Sequence, residues 1–213
     1  MRRFIAPLVA LFLASTVALS SGCGKDPVGP SPASSDVVAF GDSITFGIGT
    51  TGDSNYVAVL SRRVGVDILK SGVPGDTTGS ALNRLDATVL ARNPKLVIVL
   101  LGGNDLLDGV PVQTRISNIT AIVQRIRGTG AAVLLVGLGS PPLDPFNGTL
   151  PALASSTGST YVPDILDGIF GVPSLMADSV HPNNAGHAII ADRLEPPLRA
   201  VLAAIPLHSF SSR

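Results

Sequence analysis

Short apolar runs alternate with amphipathic stretches along most of this chain, and the alternation predicts an architecture. Runs at residues 37–40, 66–69, 96–101 and 131–138, with a weaker one at 160–162, have the length and β-branched content of strands. Between them, residues 55–64, 78–91, 112–127 and 185–204 repeat their apolar positions at helical spacing. The run from Leu96 to Leu101 is apolar at every position, as in a strand covered on both faces by helices. Strands and helices in turn predict an α/β fold with an open parallel sheet. Ligands bind such sheets beyond the carboxyl ends of the strands, so chemistry is sought in the loops that follow strands. No internal repeat is present.

The ends of the chain depart from this pattern. Arg2 and Arg3 precede a stretch from Phe4 to Leu19 that is apolar except for Pro7, Ser15 and Thr16, the layout of an export signal. Ser20, Ser21 and Gly22 then lead into Cys23, the single cysteine, which resembles the lipidated Cys of a bacterial lipobox apart from Ser20 where Leu is usual. Cleavage after Ser20 by the general signal peptidase, or retention as an uncleaved anchor, competes with lipidation at Cys23. Residues 24–35 are rich in Pro, Gly and Ser, the composition of a flexible tether. The predicted organisation is therefore a signal peptide at 1–22, Cys23 and a linker to 35, one domain at 36–205, and a tail at 206–213. The expected location is outside the cytoplasm: a cell-envelope lipoprotein, or else a periplasmic or secreted protein. One cysteine makes no internal disulfide, so the domain depends on its core.

Composition narrows the function. The 213 residues suit one domain, and 15 basic against 15 acidic residues, with no like-charge run, leave no footprint for nucleic acid. With no Trp and 4% aromatic residues, the stacking surface of a carbohydrate-binding module is missing. Cys and His are too few for a structural zinc site, so neither metal nor cofactor is required. The stretch from Gly47 to Gly52 matches the dinucleotide fingerprint GxGxxG, but it starts several residues after the strand, and Asp67 falls at the start of the next strand rather than its tip. GxSxG is absent, which argues against an α/β-hydrolase.

Four loops carry candidate chemistry. Ser43, in Gly41-Asp42-Ser43-Ile44-Thr45, sits where the first strand ends, exposed enough to act as a nucleophile if a base is near. In Asp178-Ser179-Val180-His181-Pro182-Asn183, the carboxylate lies three residues before the imidazole, close enough to hold one ring nitrogen while the other faces a substrate. Asn183 or Asn184 can cap the last helix beside it. His187, inside that helix, and His208, in the tail, are weaker candidates for the base. Gly75, in the loop after the second strand, allows a backbone N–H to approach a ligand closely. Asn104, in Gly102-Gly103-Asn104-Asp105, can offer an amide to an oxyanion. Taken singly, each loop is equally well a capping serine, a structural histidine or an ordinary glycine turn.

Taken in order, GDSIT, GVPGDTT, GGND and DSVHPN resemble the four blocks of the SGNH (GDSL-type) hydrolase family. The resemblance implies a three-layer sandwich with a five-stranded parallel sheet of flavodoxin-like order. It also implies a serine esterase that works through an acyl-enzyme on Ser43, with His181 as base, Asp178 as its partner, and an oxyanion hole from Ser43, Gly75 and Asn104. The similarity is greatest to the small bacterial branch of arylesterases, lysophospholipases and acyl-thioesterases, so the partner is a small acyl ester or lipid. A carbohydrate O-acetylesterase, or a noncatalytic envelope lipoprotein on the same scaffold, is the alternative. Lys70 and Pro74 stand where the family often has Asn and Ser; Pro74 lacks an N–H, but the expected donor is Gly75. Between Gly139 and Thr160 the chain is short, which predicts little lid and an open, shallow acyl site. Asn118 and Asn147 begin N-x-T sequons, relevant only to a eukaryotic secretory route.

Overall fold

A computed structural model describes residues 35–139 and 145–205. The predicted signal peptide, Cys23, the predicted linker up to residue 34 and the predicted tail from 206 lie outside the described residues. Five parallel strands form one sheet in the order β2-β1-β3-β4-β5: β1 (Val37–Gly41), β2 (Ile68–Gly72), β3 (Leu96–Leu100), β4 (Ala132–Val136) and β5 (Thr160–Val162). This is the flavodoxin-like order expected, and the strand order reverses between β1 and β3.

The seven α-helices of the described residues are α1 (Ser43–Phe46), α2 (Tyr56–Val64), α3 (Thr78–Thr88), α4 (Gly103–Leu107), α5 (Val112–Gly128), α6 (Pro145–Thr157) and α7 (Asn184–Ala204). Every residue of β1 and β3 is buried because these strands are central and covered on both faces. Val37 and Ala39 face a core shared with Leu60 of α2 and Ile190, Leu194 and Leu198 of α7. Val38 and Phe40 face the opposite core, with Leu85 of α3, Ile119, Ile122 and Ile126 of α5 and Leu150 of α6. Three layers result, and truncating one such core Leu or Ile to Ala costs about 2–5 kcal/mol.

Local chemistry sets the helix boundaries. Asn55 caps α2 by accepting from the Ala58 N–H at 3.0 Å, and Gly65 ends it in the left-handed region at φ 68°. Thr77 and Ser80 form a reciprocal cap at the start of α3. That helix stops at Thr88, and a 3-10 turn at Leu90–Arg92 replaces its predicted last residues. Asn183 caps α7 by accepting from Ala185 and Gly186. No helix among the described residues is long and apolar enough to cross a membrane.

Two expectations change. β2 begins at Ile68 rather than Val66 and continues through Lys70, Ser71 and Gly72. It is an edge strand, only partly covered, so its sequence need not be apolar throughout. The stretch from Gly139 to Thr160, where no helix is predicted, contains α6, which continues through Pro151 with Phe146, Leu150 and Ala154 buried in the core.

Candidate active site

Ser43, Gly75, Asn104 and His181 all line one cleft at the carboxyl ends of the strands, beside the reversal of strand order between β1 and β3. Asp178 stands behind His181. The cleft has a volume of about 540 Å³, within the range of ligand pockets. Its apolar wall includes Leu106 and Leu107 from α4, with Leu138, Leu166 and Phe170. The short helix that aims Leu106 and Leu107 has no sequence periodicity by which to recognise it.

His181 connects the acid to the serine. Its Nδ1 lies 2.7 Å from Asp178 Oδ2, and its Nε2 lies 3.0 Å from Ser43 Oγ. A carboxylate can only accept, so Nδ1 carries the proton and Nε2 presents its lone pair to the serine hydroxyl. Asp178 Oδ1 also accepts from the N–H groups of Val180 and His181 at 2.9 and 2.8 Å, which folds the acid back over its own loop. The His181 hydrogen bond, followed by those two backbone donors, holds the Asp178 carboxyl down at about 2.

The loop that carries His181 is a narrow turn. Met176 and Pro182 form an antiparallel bridge, Ala177 N–H donates to His181 C=O at 2.8 Å, and Asn183 N–H donates to Leu175 C=O at 2.9 Å. The GxGxxG stretch packs against this turn. Gly49 lies at φ 88°, and a Cβ there would meet Pro182 O at 2.5 Å. Thr51 N–H donates to Asn184 Oδ1 at 3.0 Å, and Asn184 Nδ2 donates to Thr51 Oγ1 at 2.9 Å. Gly49 serves close approach to the histidine loop, whereas a Cβ on Gly47 would meet Asn55 at 2.8 Å.

On the other side of the cleft, Ser43 takes the first position of α1, where a backbone N–H has no acceptor within the helix. Asp42 caps that turn by accepting from Ile44 N–H at 3.0 Å, and burial pushes its carboxyl up to about 6 against that hydrogen bond. Gly41 has no room for a side chain, since a Cβ would sit 2.2 Å from Thr45 Oγ1. Gly75 is required for a different reason: nothing crowds it, but φ is 80°. Asn104 lines the cleft and donates one of its two amide hydrogens to Asp76 C=O at 2.9 Å.

Several polar side chains lie beneath these loops. Asp105, fully buried, accepts from Thr78 N–H and Oγ1 at 2.7 and 2.6 Å, tying the start of α4 to the start of α3. Asp76 is paired with Arg84 at 2.6 Å. His187 is fully buried, accepts from Tyr56 N–H at 3.2 Å, and is driven down to about 4 by burial. It is a neutral core residue and stays out of the cleft.

Comparisons with known proteins place the chain in a family. Residues 39–189 match the GDSL-like Lipase/Acylhydrolase family. The chain is 32% identical to Esterase TesA of Pseudomonas aeruginosa over 182 residues, 80% of this chain and 90% of that protein. It is 29% identical to an arylesterase of Vibrio mimicus over 174 residues, 76% of this chain and 87% of the other. The crystal structure of TesA superposes with a TM-score of 0.72 at 31% identity, covering 78% of this chain and 98% of that one. The chain belongs to the GDSL-like lipase/acylhydrolase family, and it is a serine esterase.

Proposed function

We propose that this enzyme cleaves esters of apolar acyl groups through an acyl-enzyme on Ser43. The observation that carries the reading is the line from Asp178 through His181 to Ser43, at 2.7 and 3.0 Å. His181 removes the Ser43 proton as Oγ adds to the ester carbonyl. Negative charge on the former carbonyl oxygen is met by the N–H groups of Ser43 and Gly75 and by the second amide hydrogen of Asn104. The His181 imidazolium then protonates the departing alkoxide or thiolate. Water, deprotonated in turn by His181, releases the acid and restores Ser43.

The acyl chain lies against Leu106, Leu107, Leu138, Leu166 and Phe170. Leu107 and Phe170 are also 66% and 44% exposed at the mouth, which suits an aryl ester, short-chain acyl ester, lysophospholipid or thioester better than an acetylated sugar. Export and a lipid anchor on Cys23 complete the proposal, supported by the basic, apolar and small-residue layout of residues 1–23. A panel of p-nitrophenyl esters, lysophospholipid, acyl thioester and acetylated xylan, run beside Ser43→Ala, tests the chemistry. Turnover of the longer acyl esters, abolished in Ser43→Ala, is expected; activity on acetate esters alone would favour the sugar esterase. Mass spectrometry of the mature N-terminus tests the anchor, with a diacylated Cys23 expected and a mature chain starting at Ser21 contradicting it.

A further inference from the structure

We infer that Arg84 is the positioning residue that sets the oxyanion donors against the nucleophile. It lies on α3, outside the cleft, and touches no residue of the triad. Its guanidinium makes five hydrogen bonds, as many as it has N–H donors. Nη2 donates to Gly41 C=O and Ser71 C=O, both at 3.0 Å. Nη1 donates to Ser71 Oγ at 2.9 Å and Thr88 Oγ1 at 3.2 Å. Nε donates to Asp76 Oδ2 at 2.6 Å. The cation lies 4.5 Å from the centre of the Phe40 ring, and its side chain is 16% exposed.

The acceptors define the role. Gly41 is two residues before Ser43 at the end of β1, Ser71 is near the end of β2, and Asp76 directly follows Gly75. The Asp76 carbonyl also receives the Asn104 amide at 2.9 Å. One planar group therefore spans the nucleophile strand, its neighbour and the loop bearing one oxyanion donor, and through Asp76 it reaches the other. Ser80 Oγ donates to the second oxygen of the same carboxylate at 2.8 Å, so Asp76 is held from both sides. Lysine offers three donors from one point charge in place of a rigid fork, so it cannot make all five of these hydrogen bonds. Displacement of reacting groups by about 1 Å costs on the order of 10² in rate.

The inference rests on the oxyanion assignment above, and kinetics of Arg84→Lys test it. We expect kcat to fall about 10²-fold with KM within about threefold, because Arg84 acts on the transition state and makes no substrate contact. Affinity for a trifluoromethyl ketone, which forms a tetrahedral oxyanion on the serine, should fall by a similar factor. Affinity for an isosteric ether that cannot form that adduct should not change. Asp76→Asn, which keeps the backbone carbonyl bound by Asn104, should show the same selective loss in smaller degree, and it carries the test if Arg84→Lys does not fold. Unchanged kcat in a folded variant, or equal weakening of ketone and ether, would overturn the role of Arg84. Ser43→Ala tests the underlying mechanism separately, since its full activity would overturn the serine assignment whatever Arg84 does.

Discussion

The two sides of the cleft are built in opposite ways. Ser43 at the start of α1, Gly75 in its loop and Asn104 in α4 are braced from beneath by polar groups: Asp42, Asp76 with Arg84, and Asp105 with Thr78. His181 stands on a turn stabilised mostly by its own short-range hydrogen bonds, with Asp178 half exposed. The two acids show the contrast most clearly. Asp42 is buried and its carboxyl is pushed up to about 6, whereas Asp178 is exposed, hydrogen-bonded and held at about 2. The nucleophile and oxyanion side is densely hydrogen-bonded at the cost of burying the Asp42 carboxyl, which suits donors that must stay fixed while charge develops. The base side is attached at the surface, and its orientation depends on one carboxylate.

The largest effect expected from this contrast is in Asp178→Asn. The amide keeps an oxygen for Val180 and His181 N–H but no longer fixes the imidazole tautomer, so kcat should drop about 10⁴-fold. Loss of less than tenfold would break the orientation role. Next comes Asn104→Ala, which should lower kcat about 10²- to 10³-fold with KM nearly unchanged. A change in KM alone would place Asn104 in ground-state binding.

Asp42→Asn should affect stability in a pH-dependent way. A carboxyl at about 6 in the folded state and about 3.9 in the unfolded state binds more protons when folded. Stability is therefore lost as pH rises from about 4 through 6, and the variant should gain up to about 3 kcal/mol above pH 6. Urea unfolding at several pH values reads the difference, which should vanish near pH 4. Asp178 behaves oppositely: its stabilisation is present above about 4 and lost as pH falls toward 2. A pH-independent gain in Asp42→Asn would contradict the burial argument. The smallest effect is expected from Asn183→Ala, which removes the α7 cap and the side-chain bonds to Ser174 and Met176 carbonyls. About 1–2 kcal/mol should be lost in urea unfolding.

How much was legible follows the same division. β1 and β3 announce themselves because both faces are buried and every position is apolar. The edge strand β2 shows only its first residues, since Lys70 can lie on the surface, donating to Phe46 C=O at 2.8 Å. α6 contains Gly148 and Pro151, which mimic a loop until the core contacts of Phe146 and Leu150 are known. Ser43, Gly75, Asn104, Asp178 and His181 could be named because each sits in a short local block at a strand end or helix start. Their geometry could not, because His181 meets Ser43 across 138 residues. Arg84 had no local signal at all: an arginine on an amphipathic helix looks like a solvated charge, and only the fold brings Gly41, Ser71 and Asp76 around it.

Peptide mapping by mass spectrometry after treatment with a fluorophosphonate tests the serine mechanism most directly. A single phosphonyl adduct should form on Ser43 and should be lost in both Ser43→Ala and His181→Ala. An active enzyme that forms no adduct, or forms one on another residue, would contradict the assignment of Ser43 as nucleophile.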